Sequence, residues 1–340
     1  MGFFKEEIAI DLGTANTLII HDNQVVINSP SVVAINIKSN KLVAIGAQAV
    51  QWEGRTHDEI KVVRPLQDGV IADFLASEQL IKTLVKQIPA LQKRLFPPSL
   101  RIVICVPSGI TPVERKAVIE SAERVNGKEV FLIDEPIAAA IGLGIDISMP
   151  KGIFIVDIGG GTTEIAVISL FGIVCGNSFR VAGNTFTRDI IQYVADVYGT
   201  NIGEYTAERI KIQVGSVIED LKDPPKPIKV FGKLIANGGP IEIEISHVDI
   251  AKAIENSVSR MEKAIVRVLA KTPPELTGDI LENGIYLAGG GSLIRGLKER
   301  LMKTTKIKVN LSEDPLGSVV KGTGIALKKF DYYRPILEDH

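Results

Sequence analysis

Two short segments of the chain place an aspartate next to a glycine turn. Asp11 ends an apolar run and Gly13 follows two residues later, whereas Asp157 ends a similar run and is followed by glycines at 159–161. Glycine has no β-carbon, so consecutive backbone N–H groups can approach a bulky anion such as a phosphate. A carboxylate repels phosphate, but it can hold Mg²⁺ through water while the metal neutralises the phosphates. The two segments predict a magnesium–phosphate site in which Asp11 and Asp157 serve the metal.

A third glycine cluster follows the apolar run 285–288. Its residues are Gly289, Gly290 and Gly291, and we expect a helix to begin at Leu293. Backbone without side chains can lie flat against a planar base, so this cluster predicts an adenosine site. Each glycine pattern alone is more typical of an ordinary hairpin or strand-to-helix turn than of a ligand site. The prediction depends on finding three of them in one chain.

The elements around the aspartates repeat along the chain. Period-two and apolar patterns predict strands at 7–11, 18–20 and 25–27, which form an antiparallel meander. The same order of strand, glycine turn and strand returns at 153–157 and 164–169. The chain therefore contains an internal duplication, and its two aspartate-led loops could face each other.

Helices are predicted between and after these strands. Apolar residues at helical spacing predict a helix over 73–88, and Thr111 with Glu114 forms a capping box after a predicted strand at 100–106. A strand at 130–133 precedes a helix at 135–141, so strand and helix alternate as in α/β proteins. In the second half, the turn at 237–240 predicts a hairpin in a smaller inserted lobe.

Composition limits the classes of protein that fit. The 340 residues suit about two domains. Lys and Arg number 39 against 40 Asp and Glu, which does not favour a nucleic-acid partner. Cys105 and Cys175 lie in apolar runs, typical of buried thiols in a reducing compartment. No apolar run approaches the roughly 20 residues that span a bilayer, and no signal peptide is evident, so we expect a cytoplasmic protein.

These motifs together resemble the actin, Hsp70 and sugar kinase superfamily. Within it the chain is most similar to the MreB family of bacterial actins, whose signatures match residues 64–73, 106–111, 134–142 and 272–276. The resemblance covers nearly the whole chain and implies an α/β, actin-like (ribonuclease H-like) duplicated fold. Two domains, each with a mixed five-stranded sheet and helices, would enclose a nucleotide cleft. The implied subdomains are IA (1–32, 66–144 and 314–340), IB (33–65), IIA (145–181 and 247–313) and IIB (182–246).

The resemblance also implies a role for each site residue toward ATP or ADP and Mg²⁺. Glu135 would orient the attacking water and Thr162 would lie beside the γ-phosphate, although Glu135 could instead be a carboxylate favoured by a helix N-terminus. Glu208 and Lys211 would contact the nucleoside, although this spacing also fits a surface ion pair. The implied nucleotide-binding residues are Gly13, Thr14, Ala15, Asn16, Gly159, Gly160, Gly161, Glu208, Lys211, Gly289, Gly290 and Gly291.

Four apolar residues are candidates for membrane contact. Leu95 and Phe96 lie among cations in a predicted loop, and Phe3 and Phe4 stand beside Lys5 near the start of the sequence. Apolar residues ringed by cations suit an anionic bilayer surface, and the alternative is a buried loop hydrophobe.

The family likeness implies a weak ATPase coupled to filament assembly. Paired antiparallel protofilaments would lie at the inner face of the cell membrane and organise the cell-wall elongation machinery, which maintains rod shape. A small-molecule kinase or an Hsp70-like ATPase shares the cleft and is the alternative. The first would need a catalytic aspartate that we do not locate, and the second would need a substrate-binding domain.

Overall fold

The structure is a computed structural model that describes residues 5–92 and 98–338. Its strands are β1 (Lys5–Leu12), β2 (Asn16–His21), β3 (Gln24–Pro30), β4 (Val33–Asn36), β5 (Lys41–Ile45), β6 (Ile60–Val63), β7 (Leu66–Gln67), β8 (Val70–Ile71), β9 (Ser99–Val106), β10 (Gly127–Asp134), β11 (Ile153–Ile158), β12 (Thr163–Ser169), β13 (Gly172–Phe179), β14 (Thr200–Asn201), β15 (Ile228–Leu234), β16 (Pro240–Ile245), β17 (Ile285–Ala288) and β18 (Val309–Leu311).

The α-helices are α1 (Gly46–Trp52), α2 (Phe74–Lys86), α3 (Pro89–Gln92), α4 (Pro112–Glu123), α5 (Glu135–Gly142), α6 (Gly183–Tyr198), α7 (Glu204–Val214), α8 (His247–Lys271), α9 (Pro274–Asn283), α10 (Leu297–Thr305), α11 (Ser318–Lys328) and α12 (Phe330–Tyr333). Two short 3₁₀ helices cover Gly290–Leu293 and Arg334–Ile336. Within residues 5–92 and 98–338, no helix combines the length and apolar character that crossing a bilayer would need.

Two five-stranded sheets have the same topology. The first sheet has the order β10-β9-β1-β2-β3, and the second sheet has the order β18-β17-β11-β12-β13. In the first, β1 runs antiparallel to β2 and parallel to β9. In the second, β11 runs antiparallel to β12 and parallel to β17. The predicted duplication is confirmed, and so is the predicted α/β fold with mixed five-stranded sheets.

Both sheets are buried on both faces, which explains their unbroken apolar runs. On β1, Ile8 and Ile10 pack into a core under α2 and α4, while Ala9 faces the opposite side. On β11, Phe154 points to the core that contains α6 and α8, and Ile155 points the other way. The inward faces of both sheets share one core with α5 and α11, so these two helices lie between the halves.

Helices α5 and α11 cross with their backbones in contact. A β-carbon on Gly142 would lie 1.8 Å from the carbonyl oxygen of Ser318. One on Gly322 would lie 1.7 Å from the carbonyl oxygen of Ala138. Real carbon–oxygen contacts are far longer, so the crossing exists only because both positions are glycine.

Each half carries a small three-stranded sheet inserted after its third strand. The insert of the first half has the order β5-β4-β6, and that of the second half has the order β14-β15-β16. The predicted turn at 237–240 joins β15 to β16, where the N–H of Leu234 donates to the carbonyl of Gly239 at 2.8 Å. The exact subdomain boundaries stay predictions.

Two local predictions were wrong. The helix expected from Leu293 begins at Leu297, because Ile294 is extended and Gly296 adopts a left-handed φ of 79°. Leu75 is one of the apolar residues whose helical spacing predicted a buried face for α2, but it is 58% exposed. Its helix face is the one that carries Glu78, Gln79 and Lys82, which follow it by three, four and seven residues. The face that packs into the core carries Ala76, Leu80 and Leu84.

Candidate functional site

The two aspartate-led loops meet between the sheets. The first loop joins β1 to β2 and the second joins β11 to β12. A β-carbon on Gly160 would lie 2.9 Å from the β-carbon of Ala15, and one on Gly161 would lie 2.7 Å from Thr14 Oγ1. The loops therefore approach each other so closely that only glycine fits at these positions of the second loop.

Hydrogen bonds fix the first loop. Ser31 Oγ donates to the carbonyl of Gly13 at 2.7 Å, and the N–H of Ser31 donates to the carbonyl of Ala15 at 2.9 Å. Thr14 Oγ1 accepts from the N–H of Gly69 at 3.0 Å. Gly69 lies in the turn between β7 and β8, so that hairpin is attached to the loop as well.

The second loop is closed on itself and tied to α6. The N–H of Gly159 donates to the carbonyl of Thr162 at 2.9 Å. The N–H of Asn184, near the start of α6, donates to the carbonyl of Gly160 at 2.7 Å. Both loops are thus held in place by hydrogen bonds within the protein itself.

Four carboxyl groups converge where the loops meet. Burial raises the pKa of Asp11 to about 6, although the thiol hydrogen bond from Cys105 lowers it in part. Burial also raises the pKa of Asp157 to about 8, and the charges of Asp11 and Glu164 add to that shift. For Glu135, burial followed by the charge of Glu164 raises the pKa well above its ordinary range. A cation beside such a cluster would favour its ionised form.

The site has the donors that a hard cation requires. The Oδ1 atom of Asp157 is buried and has no hydrogen-bond partner among the described residues. Carboxylate oxygens are the ligands that Mg²⁺ prefers, either directly or through water. The residues predicted for the metal, Asp11 and Asp157, therefore fit Mg²⁺ by position and by chemistry.

Glu164 is a site residue that the sequence did not single out. It is fully buried on β12, and its pKa is raised by burial, although its hydrogen bonds offset part of the effect. Ser108 donates to it from its N–H at 3.2 Å and from its hydroxyl at 2.7 Å, and Ser178 donates from its hydroxyl at 2.6 Å. Because Ser108 follows β9 of the first sheet, this carboxylate joins the two halves.

Glu135 lies in the first turn of α5, directly after β10. One of its carboxylate oxygens lies within 4.8 Å of ligand atoms of Asp11 and Cys105. Glu135 therefore does lie at a helix N-terminus, the alternative given in the sequence analysis. From that position its side chain also reaches the carboxylate cluster. Thr162 lines a cavity of about 500 Å³ that Ser108, Ser178 and Arg180 also line.

Glu208 and Lys211 form the ion pair that their spacing allows, with Nζ 2.7 Å from Oε2. Lys211 also donates to the carbonyl of Gly183 at 2.9 Å, and Thr187 donates to Glu208 at 2.6 Å. The N–H of Gly183 in turn donates to the carbonyl of Gly159 at 3.2 Å. Helix α7 is thereby connected to the second loop.

The third glycine cluster lies next to Asp157. Strand β17 pairs with β11 so that Ala288 stands opposite Asp157, and the cluster follows at once. Gly289 has a φ of 78°, and a β-carbon there would lie 2.4 Å from Asp157 Oδ1. All predicted nucleotide-binding residues therefore lie on or beside the two loops or on α7.

An ion pair at the edges of the inserts links the two halves a second time. Arg64, after β6, forms a bidentate pair with Glu53 at 3.2 and 3.0 Å. Its Nε also lies 3.5 Å from Oε1 of Glu204, the first residue of α7. Sequence spacing gives no sign of this contact.

The predicted membrane residues Phe3, Phe4, Leu95 and Phe96 lie outside the described residues. Their role stays a prediction.

Comparison with known sequences gives consistent matches along the chain. The family model "MreB/Mbl protein" matches residues 5–335. The cell shape-determining protein MreB of Escherichia coli K12 is 44% identical over 337 residues, 98% of this chain and 96% of the relative. The cell shape-determining protein Mbl of Bacillus subtilis 168 is 42% identical over 329 residues, 96% of this chain and 97% of the relative.

Solved structures match as well. MreB5 of Spiroplasma citri bound to ADP has a TM-score of 0.90 and 37% identity, covering 97% of this chain and 98% of that one. A MamK double helical filament has a TM-score of 0.77 and 22% identity, covering 96% of this chain and 99% of that one. The second match shows the fold alone.

Proposed function

The chain belongs to the MreB/Mbl family and has its actin-like fold, and from that premise we propose that it binds Mg·ATP between its two sheets and hydrolyses it slowly. The observation that carries the proposal is the meeting of the two aspartate-led loops, with Asp157 Oδ1 buried and unpaired. The S. citri relative has been solved with ADP and with AMPPNP, which supports a nucleotide as the ligand.

We assign the binding roles by the position of each residue. The N–H groups of residues 13–16 and 159–162 would hold the β- and γ-phosphates, and Asp11 with Asp157 would hold Mg²⁺ through water. Residues 289–291 would lie against the base, and Glu208 with Lys211 would contact the nucleoside. Bound Mg²⁺ supplies the charge that neutralises the phosphates and keeps the carboxylates ionised.

Hydrolysis is assigned to Glu135 and Thr162. Glu135 reaches into the cluster from the first turn of α5 and would orient the attacking water. Thr162 would position the γ-phosphate at the wall of the cavity of about 500 Å³. A chain without the Glu135 carboxylate should still bind nucleotide, because none of the phosphate-binding N–H groups is lost.

Glu135→Ala tests this assignment. We expect phosphate release to fall by about 10²–10⁴-fold, the usual contribution of a general base, while the affinity for ATP stays within a few-fold of the parent. Turnover measured by released phosphate and affinity measured with a fluorescent nucleotide separate the two effects. Normal turnover by the variant would remove Glu135 from its role.

We further propose that the protein forms membrane-associated filaments that organise cell-wall synthesis and maintain rod shape, as the family does. The implied subdomains IA, IB, IIA and IIB would be the units that move as the filament assembles. ATP-dependent pelleting and negative-stain microscopy test assembly. A small-molecule kinase or an Hsp70-like ATPase would remain in the supernatant with ATP, and that result would contradict the filament proposal.

A further inference from the structure

A solvent-exposed leucine lies against the third glycine cluster. Leu316 belongs to the loop of residues 312–317, which joins β18 to α11, and its side chain is 56% exposed. A β-carbon added at Gly290 would lie 2.7 Å from Leu316 Cδ2, so any larger residue at position 290 would meet this leucine. Gly290 is itself only partly buried. The end of the leucine side chain and the bare glycine backbone therefore adjoin on one accessible surface.

Hydrogen bonds fix the loop that carries this leucine. The N–H of Ser312 donates to the carbonyl of Leu287 on β17 at 3.1 Å. The N–H of Gly289 donates to the carbonyl of Pro315 at 2.9 Å, and the proline ring restricts the backbone directly before Leu316. The backbone at Leu316 is therefore held against the glycine cluster. A contact surface that is already in place favours binding, because less conformational freedom is lost when the ligand arrives.

Helix α7 is attached to the segment that follows the same glycine cluster. The N–H of Val217 donates to the carbonyl of Arg295 at 2.9 Å. The Nη1 atom of Arg295 donates to the carbonyl of Gly215, the residue after α7, at 3.3 Å. This helix carries Glu208 and Lys211, which we assigned to the nucleoside. The glycine cluster is thus joined at one end to the loop of the exposed leucine and at the other end to the helix of these polar residues.

The ligand group that fits between bare backbone and an aliphatic side chain is a flat, aromatic one. Both faces of a nucleotide base lack hydrogen-bonding groups, so a base can be covered by apolar surface on each side. A purine has two fused rings and a pyrimidine has one, so a purine covers more of a leucine side chain and removes more apolar area from water. The phosphates and the metal are the same in all nucleotides and cannot supply this distinction.

We propose that Leu316 covers the nucleotide base beside Gly290, and that this contact makes the site prefer purine over pyrimidine nucleotides. The assignment rests on the function proposed above, because it takes a nucleotide as the ligand. In this assignment Leu316 touches neither the phosphates nor Mg²⁺, which belong to the two aspartate-led loops. Its contribution to affinity therefore depends on the base alone.

Leu316→Ser tests the assignment, with Mg·ADP, Mg·UDP and Mg·pyrophosphate as probes in calorimetry. We expect the dissociation constant of Mg·ADP to rise by about tenfold, because the base loses its apolar partner. Mg·UDP should be weakened less than Mg·ADP, and Mg·pyrophosphate, which has no base, should bind as it does to the parent. Leu316→Met keeps an apolar side chain of similar size and should retain the parental affinity for Mg·ADP. If Leu316→Ser fails to fold, Leu316→Ala provides the second variant and should show the same pattern.

Leu281→Ser is the matched control. Leu281 is 66% exposed on α9, which ends just before β17 begins, whereas the glycine cluster follows the other end of that strand. This variant should bind Mg·ADP with the parental affinity. Parental affinity of Leu316→Ser for Mg·ADP, or equal weakening of Mg·ADP and Mg·pyrophosphate, would overturn the role of Leu316. A parent chain that binds no Mg·ADP at all would instead contradict the function proposed above.

Discussion

At the scale of single residues, the site consists of acids that are costly to ionise without a ligand. The folded-state pKa of Asp157 is raised from 3.8 to about 8, chiefly by burial. At pH values between 3.8 and about 8, the Asp157 carboxyl is ionised in the unfolded chain but protonated in the folded chain. The free energy of unfolding therefore falls as pH rises through this window, by up to about 1.4 kcal/mol per pH unit for one proton.

Asp157→Asn tests whether the Asp157 carboxyl causes this fall in the free energy of unfolding, in the absence of metal and nucleotide. We expect the free energy of unfolding of the variant, measured by urea at about pH 5 and about pH 8, to decline less than that of the parent. Saturating Mg·ADP should also reduce the decline in the parent, because bound cation favours the ionised carboxylate. Equal declines in parent and variant would show that Asp157 ionises normally in the folded state.

The aspartate-led loops were predictable because their chemistry is local. Asp11 and Gly13 are two residues apart, and the same short pattern recurs at Asp157, so the sequence alone indicates a turn and a metal. Cys105 and Glu164 could not be found in this way. Their partners come from other strands, and only the order of the strands in the sheets brings them together. Cys105 also lies in an unbroken apolar run, and such a run does not indicate which of its side chains contacts the site.

At the scale of elements, the crossing of α5 and α11 is the feature most sensitive to side-chain size. Gly322→Ala would place a β-carbon 1.7 Å from the carbonyl oxygen of Ala138, so the helices must separate. We expect a loss of about 1–3 kcal/mol or more in the free energy of unfolding, as for other overpacked cores. Urea unfolding of parent and variant measures it.

Gly278→Ala in α9 is the control for the loss of glycine itself. Nothing lies within 4 Å of a β-carbon at Gly278, so alanine there should stabilise by about 0.5–1 kcal/mol through helix propensity. If Gly322→Ala behaved like Gly278→Ala, the close crossing of the two helices would be wrong.

The elements themselves were largely predictable, and the errors have local causes. Strands β1, β2, β11 and β12 and helix α2 fall where their apolar periodicity indicated. The start of α10 was wrong because periodicity cannot register the left-handed backbone of Gly296, which delays the helix. The boundaries of the small inserts could not be read from pattern, because their short strands carry few buried residues.

At the scale of the whole molecule, Leu95 and Phe96 are predicted to contact the membrane. We expect the double substitution Leu95→Ser and Phe96→Ser to abolish co-sedimentation with anionic liposomes, because apolar insertion and the neighbouring cations act together. Phe231→Ser removes a residue that is 72% exposed on β15 and should leave co-sedimentation unchanged. Undiminished sedimentation of the double variant would exclude this loop as the anchor.

The duplication was predictable from the whole chain, whereas the contact between its halves was not. Asp11 and Asp157 had to be equivalent once the strand orders matched, so a facing pair of loops followed from symmetry. Arg64 and Glu204 have no such relation: one follows β6 in the first insert, and the other begins α7 in the second half. Such a contact depends on the angle between the two halves, and no short-range sequence pattern encodes that angle.

We expect the pair formed by Arg64 and Glu204 to slow the release of a bound nucleotide, because it links the two halves. Both side chains are partly exposed, at 26% and 47%, so dissolved salt screens their attraction. Nucleotide release should therefore accelerate with ionic strength, and Glu204→Gln should be faster than the parent at low salt by up to about fivefold, the ceiling for an exposed pair. Glu59→Gln, which breaks the remote pair with Lys38, should release nucleotide at the parental rate. Stopped-flow chase of a fluorescent nucleotide measures these residence times. A residence time that shortens with salt would make turnover of the protein depend on the ionic strength of its surroundings.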